Sequence, residues 1–220
     1  MCNPVSFKPF PNKFSKTMTQ NRRKFLQTIG VGSLASSGIV IPSFASLNSP
    51  PNINHIGPLE GFTPQMGTLV SMLDWISNSV ISYHSSLSTE QLDFIFDEDA
   101  NSIGSLMLHL AATEVIYQDL TFHGLDDFSP DNAKKWGTAM NLGEKARKEI
   151  KGNPLSYYKN AYAEVRAETK KQLKKREDDW LLGGETKDWN WNNYCKWFHV
   201  VEHYANHRGQ MTWIMKRLPK

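Results

Sequence analysis

The chain carries, from residue 199 to residue 210, the sequence His-Val-Val-Glu-His-Tyr-Ala-Asn-His-Arg-Gly-Gln. His199, His203 and His207 recur every four residues, and residues four apart in an α-helix lie on one face with Cβ atoms about 5–6 Å apart. Two imidazoles at that separation can bind one metal ion. The stretch therefore predicts a helix that presents a metal-binding pair of histidines.

Apolar residues at steps of three and four predict further helices on the N-terminal side of this stretch. A long irregular connection, with a short helix at 139–151, separates the second helix from the third. Together these elements predict an all-α fold, a four-helix bundle with one long crossover connection. The four long helices are expected over about 64–84, 102–122, 154–173 and 192–218.

The first 45 residues predict an export signal. They contain six basic residues and no acidic one, and Asn21-Arg-Arg-Lys-Phe-Leu-Gln27 resembles the twin-arginine signal. Ser43-Phe-Ala45 fits a cleavage site with the cut before Ser46. The alternative is an uncleaved anchor, although the Gly and Ser residues of this stretch make a poor membrane-spanning helix. We expect export across the cytoplasmic membrane of a bacterium to the periplasm, with no stable membrane insertion after cleavage.

The rest of the chain is mildly acidic. The formal charge is +3, but without the six N-terminal cations 19 basic residues face 22 acidic ones. This balance gives no indication of nucleic-acid binding, which needs a basic patch. Residues 46–62 are rich in Pro, Asn and Gly and predict a linker, which leaves 63–218 as the folded domain. The charged residues between 164 and 175 are interpreted as a solvated helix face.

A third metal ligand has to come from another helix. His109 lies in the middle of the second predicted helix, between leucines, where burying an imidazole without a partner is costly. Taken alone, His109 is more simply a core histidine that is hydrogen-bonded to a neighbour. The His203–His207 pair on another helix increases the weight of a ligand role for His109, and both interpretations stay open at this point.

Two sequence blocks resemble the DinB-like family, also called DinB/YfiT-like metalloenzymes. The first block runs from Asn101 through His109 to Glu114, and the second is His203-x-x-x-His207-Arg-Gly-Gln210. The resemblance covers residues 63 to 218. It implies a bundle of up-down-down-up topology, often dimeric, so a homodimer is expected. It also implies a divalent metal bound by His109, His203 and His207, in a family whose better understood members are thiol-dependent transferases.

Three further residues are candidates for the surroundings of the metal. His199 would drift about 80° around the helix relative to His207, so we assign it to the second shell or pocket lining and keep a ligand role as the alternative. Glu114 could accept a hydrogen bond from a ligand imidazole. Arg208 is expected to pair with an acidic group inside the bundle. Cys195 is expected to be a small buried side chain.

Three neutral imidazoles with an open coordination position are typical of a catalytic metal centre. Imidazoles suit several ions, so zinc is preferred, with nickel, iron or manganese as alternatives. The leading hypothesis is an exported metal-dependent hydrolase or transferase that acts on an unidentified small molecule, with no catalytic residue assigned beyond the ligands. The alternatives are a non-catalytic bundle stabilised by the metal, which serves as a binding or interaction module, and a metal-free bundle.

Overall fold

The computed structural model describes residues 52–219. The predicted signal peptide and its cleavage site lie outside these residues. Within 52–219 the chain forms eight helices and no strand, which confirms the all-α prediction. In chain order the helices are α1 (Pro64–Tyr83), α2 (Thr89–Leu92), α3 (Ile103–Phe122), α4 (Pro130–Asn141), α5 (Gly143–Glu149), α6 (Leu155–Leu173), α7 (Asp179–Leu182) and α8 (Asn193–Met215).

Polar side chains set where the long helices begin. The Ser102 hydroxyl accepts a hydrogen bond from the Ser105 amide at the start of α3, and the Asn192 side chain accepts one from the Cys195 amide at the start of α8. At the start of α1, the carboxylate of Asp178 accepts hydrogen bonds from two backbone amides, although it lies more than a hundred residues away in sequence. This contact links the beginning of α1 to the segment that precedes α8.

Helix α3 is the most enclosed element, since it packs against α4, α6 and α8. Sixteen of its twenty residues are buried. Helices α1 and α8 also pack together, and side chains from all four long helices meet in one apolar core. A polar side chain on α3 therefore has to find its hydrogen-bonding partners inside the protein. None of the described helices combines the length and apolar character needed to cross a membrane.

The connection between α3 and α6 differs from the predicted single helix at 139–151. Two helices occupy it, and the first begins at Pro130, where the Ser129 hydroxyl accepts from the Asn132 amide. The break comes at Leu142 and Gly143, whose φ angles of 54° and 73° cannot continue a right-handed helix. Helix α4 packs on α3, so the crossover covers the face of α3 that carries His109.

Candidate metal centre

Three histidine nitrogens converge between α3 and α8. The Nε2 atom of His203 lies 2.9 Å from Nε2 of His109 and 3.1 Å from Nε2 of His207. One ring nitrogen from each of the three histidines lies within 4.8 Å of the others. The helical spacing explains the His203–His207 pair, and the packing of α3 on α8 adds His109. The structure thus brings together the three residues predicted as ligands.

Hydrogen bonds at the far side of two rings determine which nitrogen faces the centre. His109 Nδ1 lies 3.1 Å from the backbone carbonyl oxygen of Ala139 in α4, and His207 Nδ1 lies 2.8 Å from Oε1 of Gln210. Both partners are acceptors, so each Nδ1 carries the proton and donates. A neutral imidazole has only one N–H, which leaves Nε2 of both rings with a lone pair directed at the centre.

These contacts fit a bound cation. Two of the three central nitrogens carry lone pairs, and Nε2 of His203 can supply at most one hydrogen. In at least one of the two short N···N contacts, therefore, no hydrogen lies between the two nitrogens. Their lone pairs then face each other, which is unfavourable unless a cation binds them. A divalent metal accepts all three lone pairs, and a hydrogen bond from each ligand's other nitrogen is the usual accompaniment of metal-bound histidine.

The imidazoles are held in their neutral form. Burial, followed by the charge of His207, lowers the pKa of His109 to about 4. Burial and the neighbouring imidazoles lower the pKa of His203 to about 3. Burial also lowers the pKa of His207, against the opposing effect of its hydrogen bond to Gln210. The three imidazoles therefore need not lose a proton to bind a metal at neutral pH.

Glu114 has partners other than the imidazole considered from the sequence. Both of its carboxylate oxygens accept from Arg166, and it also accepts from the hydroxyls of Thr169 and Tyr204. Burial alone would raise the pKa of this carboxyl, but the Arg166 charge and these hydrogen bonds hold the pKa below its usual value. Because Tyr204 follows His203 on α8, Glu114 supports the helix that carries His203 and His207.

Arg166 corrects the interpretation of the charged stretch 164–175 as wholly solvated. Its side chain is only 8% exposed. Position 166 comes four residues after Tyr162 and three before Thr169, both of which are buried on the same helix face. The periodicity of α6 would have indicated this burial, but the surrounding lysines and glutamates obscured it.

Arg208 and His199 lie near the three histidines without joining them. Arg208 donates to the hydroxyl of Ser79 at 2.8 Å and lies over the rings of Trp75 and Tyr83, so its neighbours are a hydroxyl and aromatic faces in place of the expected acidic group. His199 lies outside the converging group, with its ring centroid 5.5 Å from that of His203. Its assignment to the second shell or pocket lining therefore stays a prediction.

Comparison with known proteins places this architecture in a family. Residues 68–217 match the family model described as mycothiol-S-transferase. The chain belongs to the mycothiol-S-transferase family. This family is DinB/YfiT-like, which agrees with the resemblance seen in the sequence. A search of curated proteins found no match.

Two features of this member of the mycothiol-S-transferase family were missed in the sequence. Gln210 was noted only as a neighbour of the histidine pair, although a glutamine three residues after a ligand on the same helix is well placed to accept from its Nδ1. The role of the Ala139 carbonyl could not be inferred from the residue type, because the acceptor is a main-chain atom.

The prediction for Cys195 was wrong. It was expected to be buried and is exposed, because it lies on the outward side of the first turn of α8.

Proposed function

We propose that this chain is an exported, metal-dependent enzyme of the mycothiol-S-transferase family, which joins a thiol to an electrophilic small molecule. The observation that carries the proposal is the convergence of three Nε2 atoms, two of which have lone pairs fixed by hydrogen bonds behind them. The family match over residues 68–217 supports thiol chemistry at this site.

His109, His203 and His207 would hold the metal. Three protein ligands leave at least one coordination position free, which distinguishes such a centre from a structural zinc site with four protein ligands. When bound, a divalent cation lowers the pKa of a coordinated thiol or water and so supplies a nucleophile at neutral pH. Zinc is the ion we prefer, with nickel, iron or manganese as alternatives.

The protein's own contribution is to orient the ligands. The Ala139 carbonyl and Gln210 keep the protons of His109 and His207 on Nδ1, which leaves Nε2 free. In the transfer, the thiol sulfur forms a bond to the electrophilic carbon and the leaving group departs with its bonding electrons. The thiol proton passes to solvent.

Water is the other nucleophile that the same site could use. An exported protein works in a more oxidising compartment than the cytosol, where low-molecular-weight thiols are kept reduced. Hydrolysis is therefore the reaction to compare with S-transfer. Both reactions need the three histidines, and they differ only in the nucleophile.

The decisive experiment combines metal analysis with turnover. The purified protein is expected to hold one equivalent of metal, and the double variant His203→Ala/His207→Ala close to none. His123→Ala, at the exposed end of α3, is the matched control and should keep the metal. Equal substoichiometric metal in the wild type and the double variant would overturn the ligand assignment.

Turnover is measured on the metal-loaded protein with one electrophile and four nucleophiles: mycothiol, bacillithiol, glutathione and water alone. Product formation that requires a thiol and is lost in the double variant supports S-transfer. Product formation without a thiol supports hydrolysis.

A non-catalytic, metal-stabilised bundle is the second candidate. One observation favours it, namely that a metal on these histidines would cross-link α3 to α8, the most enclosed helix to the last one. Metal at one equivalent, a large loss of thermal stability on chelation and no turnover with any nucleophile would together support this role.

Export is proposed from the first 45 residues. Fusion of residues 1–50 to a reporter that is active only outside the cytoplasm tests it. Replacing Arg22 and Arg23 with lysine should abolish reporter activity if the twin-arginine route is used.

A further inference from the structure

The three histidines differ in their access to solvent. His109 and His207 are each only 8% exposed, whereas His203 is half-buried. Of the three rings, solvent therefore reaches that of His203 most readily. The next ring on that side is His199, whose side chain is 34% exposed.

Four aromatic rings continue from His203 in an unbroken series. We call His199, Trp191, Trp189 and Tyr117 the aromatic wall. The ring centroid of His199 lies 5.6 Å from that of Trp191 and 5.9 Å from that of Tyr117. Trp189 lies 5.5 Å from Trp191 and 6.0 Å from Tyr117. Trp191 is 37% exposed and the His199 side chain 34%, whereas Tyr117 is only 8% exposed, so Trp191 and His199 form the open part of the wall beside His203.

Charges of opposite sign border the aromatic wall. The Lys196 ammonium lies 4.5 Å from the ring centroid of Trp189 and is held there by a hydrogen bond to the Gly184 carbonyl. At the other end, a carboxylate oxygen of Glu202 lies 3.7 Å from Nδ1 of His199. The ammonium disfavours a second cation at Trp189, although open tryptophan rings often bind one. The carboxylate disfavours an anion at His199, and an uncharged ligand avoids both repulsions.

We propose that the aromatic wall binds the planar, uncharged aromatic part of the electrophilic substrate. Rings arranged edge-on and tilted at these distances leave faces and edges against which another planar ring can pack favourably. A ligand held there lies beside His203, one of the three residues that would hold the metal. This inference rests on the proposed S-transfer, because it concerns the electrophilic substrate of that reaction. It predicts binding, so it can be tested without measuring turnover.

The test is equilibrium binding of 2,4-dinitrotoluene to the full-length, zinc-loaded protein by calorimetry. This probe is planar, uncharged and unreactive, so it cannot arylate the exposed Cys195. Trp191→Leu is expected to weaken binding about 3- to 10-fold, which is the contribution of an aromatic pair. Trp191→Phe keeps a ring and should restore most of the affinity. Trp213→Leu, an exposed tryptophan on α8 outside the wall, is the matched control and should bind as the wild type does.

Three further probes test the chemistry of the ligand. Nitrocyclohexane is uncharged but not planar, phenyltrimethylammonium is a cation, and 2,4-dinitrobenzoate is an anion. Each should bind more weakly than 2,4-dinitrotoluene. Tighter binding of either charged probe would overturn the charge argument, and equal binding of nitrocyclohexane would overturn the aromatic one.

The two proposals fail in different ways. Equal weakening by Trp191→Leu and Trp213→Leu, or no binding of 2,4-dinitrotoluene to the wild type, would overturn the aromatic subsite whatever the turnover result. Intact binding that depends on Trp191, with no thiol-dependent or water-dependent turnover, would keep the subsite and overturn the proposed enzymatic function.

Discussion

Arg166 donates two parallel hydrogen bonds to Glu114, from Nε to Oε1 and from Nη2 to Oε2, each 2.8 Å long. Its remaining nitrogen donates to Asp74 at 3.2 Å, and the Tyr204 hydroxyl donates to Glu114 at 3.2 Å. These residues belong to α6, α3, α1 and α8 in turn. One polar cluster, buried except at Asp74, therefore joins all four long helices.

Breaking this cluster should lower the free energy of unfolding by several kcal/mol. Arg166→Met leaves the Glu114 carboxylate buried without its cation, and removal of one partner from a buried ion pair typically costs about 3–5 kcal/mol. Urea denaturation measures the loss of unfolding free energy. Lys135→Met breaks the exposed pair with Glu164 and is the control, with an expected cost of at most ~1 kcal/mol. Similar losses in the two variants would show that the cluster contributes little.

The same cluster should make stability depend on pH. The folded-state pKa of Glu114 lies below its ordinary value, so its contribution is complete above the unfolded pKa of ~4.3 and is lost as the pH falls through the lower folded value. In unfolding free energies measured from pH 7 to pH 3, the part of the fall that belongs to Glu114 should lie below about pH 4, whereas the lowered pKa values of His109 and His203 make stability fall already below about pH 6.5. Glu114→Gln should flatten that fall, whereas Glu164→Gln on the exposed surface should leave it unchanged. A slope unaffected by Glu114→Gln would contradict the prediction.

Metal removal should lower the melting temperature. A ligand present at 100 times its Kd stabilises the folded state by about 2.7 kcal/mol. Scanning calorimetry with and without EDTA should show a drop for the wild type and none for His203→Ala/His207→Ala. His123→Ala should behave as the wild type. An equal drop in the double variant would mean that the stabilising metal lies elsewhere.

Gln210 should increase the metal affinity of the site without binding the metal itself. Gln210→Ala removes the acceptor that keeps the His207 proton on Nδ1, and loss of such a partner typically weakens metal affinity about 10- to 100-fold. Gln210→Glu keeps an acceptor and should retain affinity. Competition with a chromophoric chelator gives the Kd, and Asn206→Ala, one turn earlier, is the control. If Gln210 were only structural, Gln210→Ala would lower the melting temperature of the metal-free protein, and Gln210→Ala and Gln210→Glu would have the same metal affinity.

Two glycines on long helices should respond oppositely to alanine. A Cβ at Gly209 would meet no atom within 4 Å, so Gly209→Ala should stabilise α8 by up to ~1 kcal/mol. A Cβ at Gly67 would overlap the backbone nitrogen of Leu59, so Gly67→Ala should cost about 1–3 kcal/mol. Thermal unfolding compares the two, and a stabilised Gly67→Ala would show that the segment before α1 moves away easily.

The local periodicities were enough to predict the all-α fold and the pairing of His203 with His207, because both depend on residues close in sequence. The contact of His109 with His203 spans 94 residues. It follows from how α3 packs on α8. In the sequence, the mid-helix position of His109 made it a candidate ligand, and the family resemblance assigned it to the same ion as His203. The break at Leu142 depends on tertiary packing that outweighs local preference, whereas the burial of Arg166 agrees with the periodicity of α6 and was obscured by the charged residues around it.

The bond from His109 to the Ala139 carbonyl has a consequence for how this family can diverge. Because the acceptor belongs to the main chain, no side-chain replacement at position 139 removes it directly. A change in the length of the crossover would shift the register of α4 and present a different carbonyl, or none. Insertions and deletions between α3 and α6 are therefore a route by which related chains could alter their metal chemistry while every ligand histidine is retained.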